Sequence, residues 1–261
     1  MQYETITLDV VDHVARLTLN RPDAANAVNQ AMGADLRRAA LAISHNPDVR
    51  AVLLSGAGRI FSGGGDLSLF ASSLDMATAI EDLTIDLHAA LSRFAKMDAP
   101  LVAAVHGAAG GAGMSLVAAA DLVVAGASTK FTMGYTKAGL VPDGSSSFYL
   151  SRVVGLRRAM DLVLTNRVLS AAEAEEWGLV SRVAPDAEVL EQASALAAQL
   201  AAGPTKAFGL AKRVVYEGAV SSLEQAMERE SLSIAAAALT RDAKEGIDAF
   251  LHKRAAVFEG R

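Results

Sequence analysis
Residues 3–10 and 14–19 alternate polar and apolar positions, the period of a strand with one wet face. With "VVDH" between them, they predict a β-hairpin. "NRPDAAN" (20–26) reads as a loop. Over 29–45 the period lengthens, and Met32, Leu36, Ala39, Ala40 and Ile43 recur at helical spacing. "VRAVLLSG" is a continuous apolar run of strand length, followed by a glycine loop over 57–68. A second amphipathic helix is predicted over 76–96, with Leu83, Leu87, Leu91 and Phe94 on one side; the "SLFASSLDMATA" stretch before it reads as a loop. "PLVAAV" is a further buried strand. The glycine-rich "GAAGGAGMS" (107–115) follows, then "SLVAAA" as helix and "DLVVAG" as strand. Strands and helices alternate, which predicts an α/β architecture.

After residue 143 the pattern turns helical. "SAAEAEEWG" presents a capping box, Ser170 with Glu173, and a stop at Gly178; "SSLEQAMERE" offers Ser221 and Glu224 in the same role. From about 203 onward only helices are expected, joined at "AAGPT" and "YEGAV". The predicted organisation is a core over 1–200 and a helical region over 201–261.

Composition narrows the function classes. Hydrophobic residues make up 52 % of the 261 and charged residues 20 %, the balance of a well-buried globule. A net charge of −5 supplies no basic field, so no nucleic-acid partner is expected. The chain has no cysteine, which excludes disulfides, thiolate metal sites and a cysteine nucleophile, and no metal-ligand spacing is evident. The first twenty residues carry early acids and alternating polar positions rather than a leader, so a cytoplasmic location is expected. The uncharged stretch 107–120, bracketed by His106 and Asp121, falls short of the roughly 20 apolar residues of a membrane span.

Two glycine loops hold the candidate chemistry: "SGAGRIFSGGGDL" (55–67) and the 107–115 segment. Each follows a buried strand, and the second leads into a helix, whose start exposes unpaired N–H groups. Such loops can aim two N–H donors at one oxygen that gains charge during reaction. Close-packed turns are the plain alternative. A dinucleotide fingerprint fits poorly: "GAGRIF" supplies two of three glycines, Phe61 takes the third place, and no helix follows. Of the histidines, His13 falls in the hairpin turn, His45 ends a helix, His252 lies in the tail and His106 reads as structural; Trp177 reads as core.

The order "NRPDAANAV", "GRIFSGGGDL", "APLVAAVHGAAGGAGMSLVAAADLVVAG", "KFTMGYTKAGLVPDGSSSFYLSRVVG" and "LTNRVLSAAEAEEWGLVSRV" resembles the crotonase superfamily, the enoyl-CoA hydratase/isomerase enzymes, from about residue 3 to 200 and more loosely beyond. The resemblance implies a spiral of ββα turns with a helical C-terminal region that packs trimers or dimers of trimers. It implies an acyl-CoA thioester ligand, with coenzyme A present only as part of the substrate and no other cofactor. By position, Gly65 and Ala112 are the two oxyanion-hole donors, flanked by Gly64 and Gly111. Ala25 and Ala27 are expected along the coenzyme A path, with Ser62, Asp66 and Leu67 near the pantetheine and thioester, and Pro142 at the substrate. Asp66 reads as a helix N-cap in preference to a catalytic acid.

The two glutamates of the hydratase relatives are replaced by Ser115 and Tyr135, neither an ordinary general base at neutral pH. Asp143, in "GLVPDGSSSF", matches the single carboxylate of the superfamily's isomerases, which moves a proton between carbons while the oxyanion hole holds a dienolate. Without that resemblance, Pro-Asp-Gly is plain turn chemistry. The stretch from Asp143 to Val183 is also similar to 4-chlorobenzoyl-CoA dehalogenases, which implies Asp143 as nucleophile, His88 as the base that assists hydrolysis and Tyr135 in place of an aromatic wall. For His88, a packed helix side chain is the alternative. Isomerase ranks first, then dehalogenase-like hydrolase, then two-glutamate hydratase. A non-catalytic acyl-CoA-binding protein is the alternative of a different class.

Overall fold
The computed structural model describes residues 2–261. Its first strands, β1 (Ile6–Val11) and β2 (Val14–Leu19), pair antiparallel with Val11 opposite Val14. The turn between them is therefore Asp12–His13 alone, both at positive φ (49° and 65°), the twist that suits a two-residue hairpin. The "VVDH" turn expected from the sequence is thus shortened, because Val10 and Val11 continue the ladder.

Helix α1 (Gln30–His45) leads to β3 (Ala51–Gly56), the short α2 (Leu67–Ser72) and α3 (Met76–Lys96). Then come β4 (Leu101–Val105), β5 (Ala108–Gly110), α4 (Ala112–Ala119), β6 (Leu122–Gly126) and β7 (Lys130–Thr132). Helices α5 (Ser146–Val153) and α6 (Leu156–Thr165) precede β8 (Leu169–Ser170), α7 (Ala171–Glu176) and β9 (Arg182–Ala184). The chain finishes with α8 (Val189–Ala201), α9 (Thr205–Gly218), α10 (Leu223–Ala238) and α11 (Arg241–Leu251). Six strands form one sheet in the order β1-β2-β3-β4-β6-β9, parallel from β2 onward; β5, β7 and β8 form a second, smaller sheet.

Strand periodicity divides the core in two. Ala51, Leu53, Val102, Ala104 and Val124 point to the face covered by α8, which presents Val189, Ala193, Ala197 and Ala201 at every fourth position. Val52, Leu54, Leu101, Ala103 and Val105 point to the other face, against α1, α3 and the fully buried α4. Several elements depart from the expected pattern. Strand β7 falls where the sequence pattern assigns no element, and β8 and β9 interrupt the region after residue 143 that is expected to be helical; these short strands exist through pairing, β8 with β7 and β9 with β6. Strand β5 lies inside the glycine segment and exists through its parallel pairing with β7. Helix α2 occupies part of the expected loop, started by Asp66, whose side chain accepts from Leu69 N.

The capping box at Ser170–Glu173 forms as expected. The second box is displaced by one residue: Ser222 accepts from Gln225 N, and Gln225 reaches back to Ser222 N. Ser221 instead donates its hydroxyl to the Glu217 carbonyl, 2.7 Å away, closing the end of α9. Both serines satisfy the spacing rule, and the competing contact to Glu217 decides the register. Among the described residues, no helix is long and apolar enough to cross a membrane.

Candidate active site
The two glycine loops lie against each other. Ser62 N donates to Ala108 O and Gly110 N to Ser62 O, so the first loop runs as an extra edge beside β5. The approach is tight enough to require glycine: a Cβ on Gly64, at φ +110°, would lie 3.0 Å from the Gly110 oxygen. A Cβ on Gly111 would lie 4.0 Å from Gly65 N, so the start of α4 sits over the Gly65 amide.

The amides on either side of Gly65, and the one before Ala112, are occupied. Gly63 N donates to Ala25 O, Gly64 N to Ser62 Oγ, Asp66 N to Val28 O and Gly111 N to Thr132 O. Among the described residues, the N–H groups of Gly65 and Ala112 have no hydrogen-bond partner, and both residues line one cavity of about 300 Å³. Unpaired backbone donors of this kind are able to take an oxygen that carries negative charge.

Across the cavity stands Asp143, the sole carboxylate among the described residues that line it. Its backbone carbonyl is clamped by three hydroxyls: Ser115 Oγ at 2.7 Å, Ser146 Oγ at 2.8 Å and Tyr135 OH at 3.3 Å. Ser115 and Tyr135 also bond one another at 3.0 Å. Gly144, at φ +63°, lets the turn pass close to Ser115, where a Cβ would come within 3.0 Å of the serine Cβ. The two positions that could have held carboxylates thus hold hydroxyls that fix the loop of Asp143. Burial pushes the Tyr135 phenol up to about 12, with the Asp143 charge adding to the effect. It is therefore a neutral hydrogen-bonding group at ordinary pH. One oxygen of the Asp143 side chain meets His88 Nε2 at 2.8 Å, the imidazole coming from the exposed side of α3.

Of the residues singled out in the sequence, Gly64, Gly65, Leu67, Gly111, Ala112, Tyr135, Pro142 and Asp143 line the cavity. The others do not. Ser62, expected near the thioester, is fully buried, and its hydroxyl is consumed by the Asn26 carbonyl at 2.9 Å and by Gly64 N; it holds the donor loop in place. Asp66 caps α2 and pairs with Arg21 at 3.0 Å, consistent with its reading as a cap. Ala25 and Ala27 lie outside the cavity lining, with their carbonyls bonded to Gly63 N and Arg21 Nη1. His106 bonds the Gly58 carbonyl at 2.9 Å. Ser146 and Gly144 were not singled out; the "PDGSSS" turn chemistry was their one signal. The rest of the lining is mostly apolar, with Phe70 and Leu83 among its walls and Thr84 and Thr132 as its polar members.

The family model described as enoyl-CoA hydratase/isomerase matches residues 10–261. The chain is 36 % identical over 262 residues to a 1,2-epoxyphenylacetyl-CoA isomerase of Escherichia coli K12, covering 99 % of each chain. It is 35 % identical to a 4-chlorobenzoyl coenzyme A dehalogenase of an Arthrobacter species, over 88 % of this chain and 84 % of the relative. Among solved structures, an enoyl-CoA hydratase from Polaromonas sp. JS666 superposes with a TM-score of 0.92 at 32 % identity, covering 97 % of this chain and 99 % of that one. The two mixed-connection sheets and C-terminal helices are accordingly the α/β crotonase fold, and the chain belongs to the enoyl-CoA hydratase/isomerase family.

Proposed function
We propose that this protein is an acyl-CoA enzyme that moves a carbon–carbon double bond by proton transfer. The thioester carbonyl oxygen takes the N–H groups of Gly65 and Ala112. The Asp143 carboxylate then removes a proton from the carbon beside the carbonyl. The electrons of that C–H bond pass into the conjugated system, and the resulting dienolate rests its charge on the oxygen held by the two amides. Protonated Asp143 returns a proton at the far end of the conjugated system, which converts a 3-enoyl thioester to the 2-enoyl isomer. The observation that carries this reading is a single carboxylate facing two unpaired backbone donors in one apolar cavity. Hydration by two carboxylates is disfavoured because Ser115 and Tyr135 spend their hydroxyls on the Asp143 carbonyl.

The contact between His88 and Asp143 favours a second reading, a dehalogenase-like hydrolase. There Asp143 would attack a ring carbon, a halide would leave, and His88 would assist water in cleaving the aryl ester. Turnover of 3-enoyl-, 2-enoyl- and 4-chlorobenzoyl-CoA by the purified protein separates the alternatives. The proposal expects isomerisation of the first. Chloride release from the third would instead support the hydrolase, and tight binding with no turnover of any would support a non-catalytic binding protein.

Assembly as a trimer, or a dimer of trimers, belongs to the same proposal. Helix α10 buries none of its residues within the chain while exposing Leu223, Met227, Leu232 and Ile234. A patch of that kind is covered by a partner more often than by water. Light scattering on the purified protein tests this, and a monomer would contradict it.

A further inference from the structure
Asp143 lies between two cavities. The first is the apolar one holding the unpaired amides of Gly65 and Ala112. The second, of about 350 Å³, lies between α3 and α5. Pro142 and Asp143 line both; His88 lines only the second, together with Ser92, Ser145 and Tyr149. His88 therefore reaches the acyl cavity only through the carboxylate. Its Nε2 sits 2.8 Å from one Asp143 oxygen, and half of its side chain is open to solvent (50 %, against 32 % for Asp143). The Asp143 turn is held from behind by Ser115, Tyr135 and Ser146. These bonds use the backbone carbonyl and leave both side-chain oxygens available to the proton.

Resting on the isomerase reading above, we propose that His88 is a proton relay that connects Asp143 to water in the second cavity. After Asp143 takes a proton from the acyl chain, its carboxylic acid donates that proton to His88 Nε2, in the tautomer that carries the ring hydrogen on Nδ1. The imidazolium so formed releases its Nδ1 proton to water. The reverse sequence recharges Asp143 with a solvent proton, and that proton, not the original one, goes to the far carbon. No electron changes owner beyond the C–H pair already held in the dienolate. A neutral imidazole suits this task because one ring nitrogen accepts while the other donates. His88 thus acts through Asp143 and does not touch the acyl group. Without the relay, the proton stays on Asp143 and is passed directly from carbon to carbon.

The test is isomerisation of 3-hexenoyl-CoA in heavy water, with the deuterium content of the 2-hexenoyl product read by mass spectrometry. The wild type is expected to place solvent deuterium in the product. His88→Gln keeps a hydrogen-bonding side chain beside Asp143 but cannot carry a proton through, and His88→Ala removes the group. Both variants are expected to keep isomerising while losing most of the product deuterium. The relay is overturned by variants whose product keeps the wild-type deuterium content, which would mean Asp143 exchanges directly with water. A wild-type product free of deuterium also overturns it, as does loss of isomerisation in both variants together. A wild type that does not isomerise at all sinks the proposed function itself, and is told apart from these outcomes by the absence of any 2-enoyl product.

Discussion
The cavity wall that carries Gly65 and Ala112 is made of backbone, whereas the facing wall that carries Asp143 is made of side chains. On the first, geometry follows from loops packed so closely that a Cβ on Gly64 would meet the Gly110 oxygen at 3.0 Å. On the second, geometry follows from hydroxyls converging on one carbonyl, with His88 at the carboxylate. The difference teaches where this chain can change its chemistry. Substituting Asp143 itself changes the acid or base at the cavity and leaves in place the hydroxyls that hold its main-chain carbonyl. Substituting in the first wall displaces an amide that no side chain can replace.

The largest effect is expected at Asp143. Asp143→Asn is expected to lower kcat for isomerisation by about 10²–10⁴-fold, the usual worth of a positioned proton-transfer group. Binding of the thioester, measured by calorimetry, should change little, because the amides are untouched. On the backbone wall, Gly64→Ala forces a side chain into a positive-φ position against Gly110 and shifts the Gly65 amide. Loss of one such donor is worth about 10²–10³-fold in kcat, and steady-state kinetics with a folded variant, checked by circular dichroism, reads it.

Tyr135→Phe should be milder. It removes bonds to Ser115 and to the Asp143 carbonyl but leaves Ser115 and Ser146 holding that carbonyl. A loss of about 1 kcal/mol of stability is expected from a chemical-denaturation midpoint, the typical net worth of a hydrogen bond, with kcat within about tenfold of the wild type, since 1.36 kcal/mol of barrier is tenfold in rate. The smallest effect is a titration. Burial raises the Tyr135 phenol from 10.0 to about 12, so the folded state favours the neutral form. Its contribution to stability is complete below pH 10 and is lost as pH rises from 10.0 toward about 12. Across that window the wild type should lose more stability than Tyr135→Phe, as read by melting temperature.

Regular elements with long periods were legible in the sequence. The helix expected over 76–96 is Met76–Lys96, because four large apolar residues at helical spacing leave one solution. Strand β5 was not legible: three small residues carry no period, and the strand exists only through its partner β7. Helix α2, six residues long, is too short to show a face, and Asp66 as a cap was its one sign. Ser222 and Ser221 compete for one cap, and the deciding contact to Glu217 lies outside the motif. At the site, Gly65 and Ala112 could be placed because the motifs around them carry a family resemblance. The resemblance to 4-chlorobenzoyl-CoA dehalogenases is what put His88 and Asp143 in one site; they lie 55 positions apart, so no local spacing reports their contact. The burial of Ser62 was hidden for the same reason, since Asn26 meets it from a distant loop.

A thioester oxygen seated between the amides of Gly65 and Ala112 is the central requirement of the proposed function. Asp143→Asn, loaded with a 3-enoyl-CoA carrying ¹³C at the thioester carbonyl, holds an unreacted complex whose carbonyl stretch can be read by isotope-edited infrared spectroscopy. The proposed function predicts a stretch displaced to lower frequency than in free ligand, and a return toward the free value when Gly64→Ala is added. A bound carbonyl that absorbs where the free thioester does would contradict it.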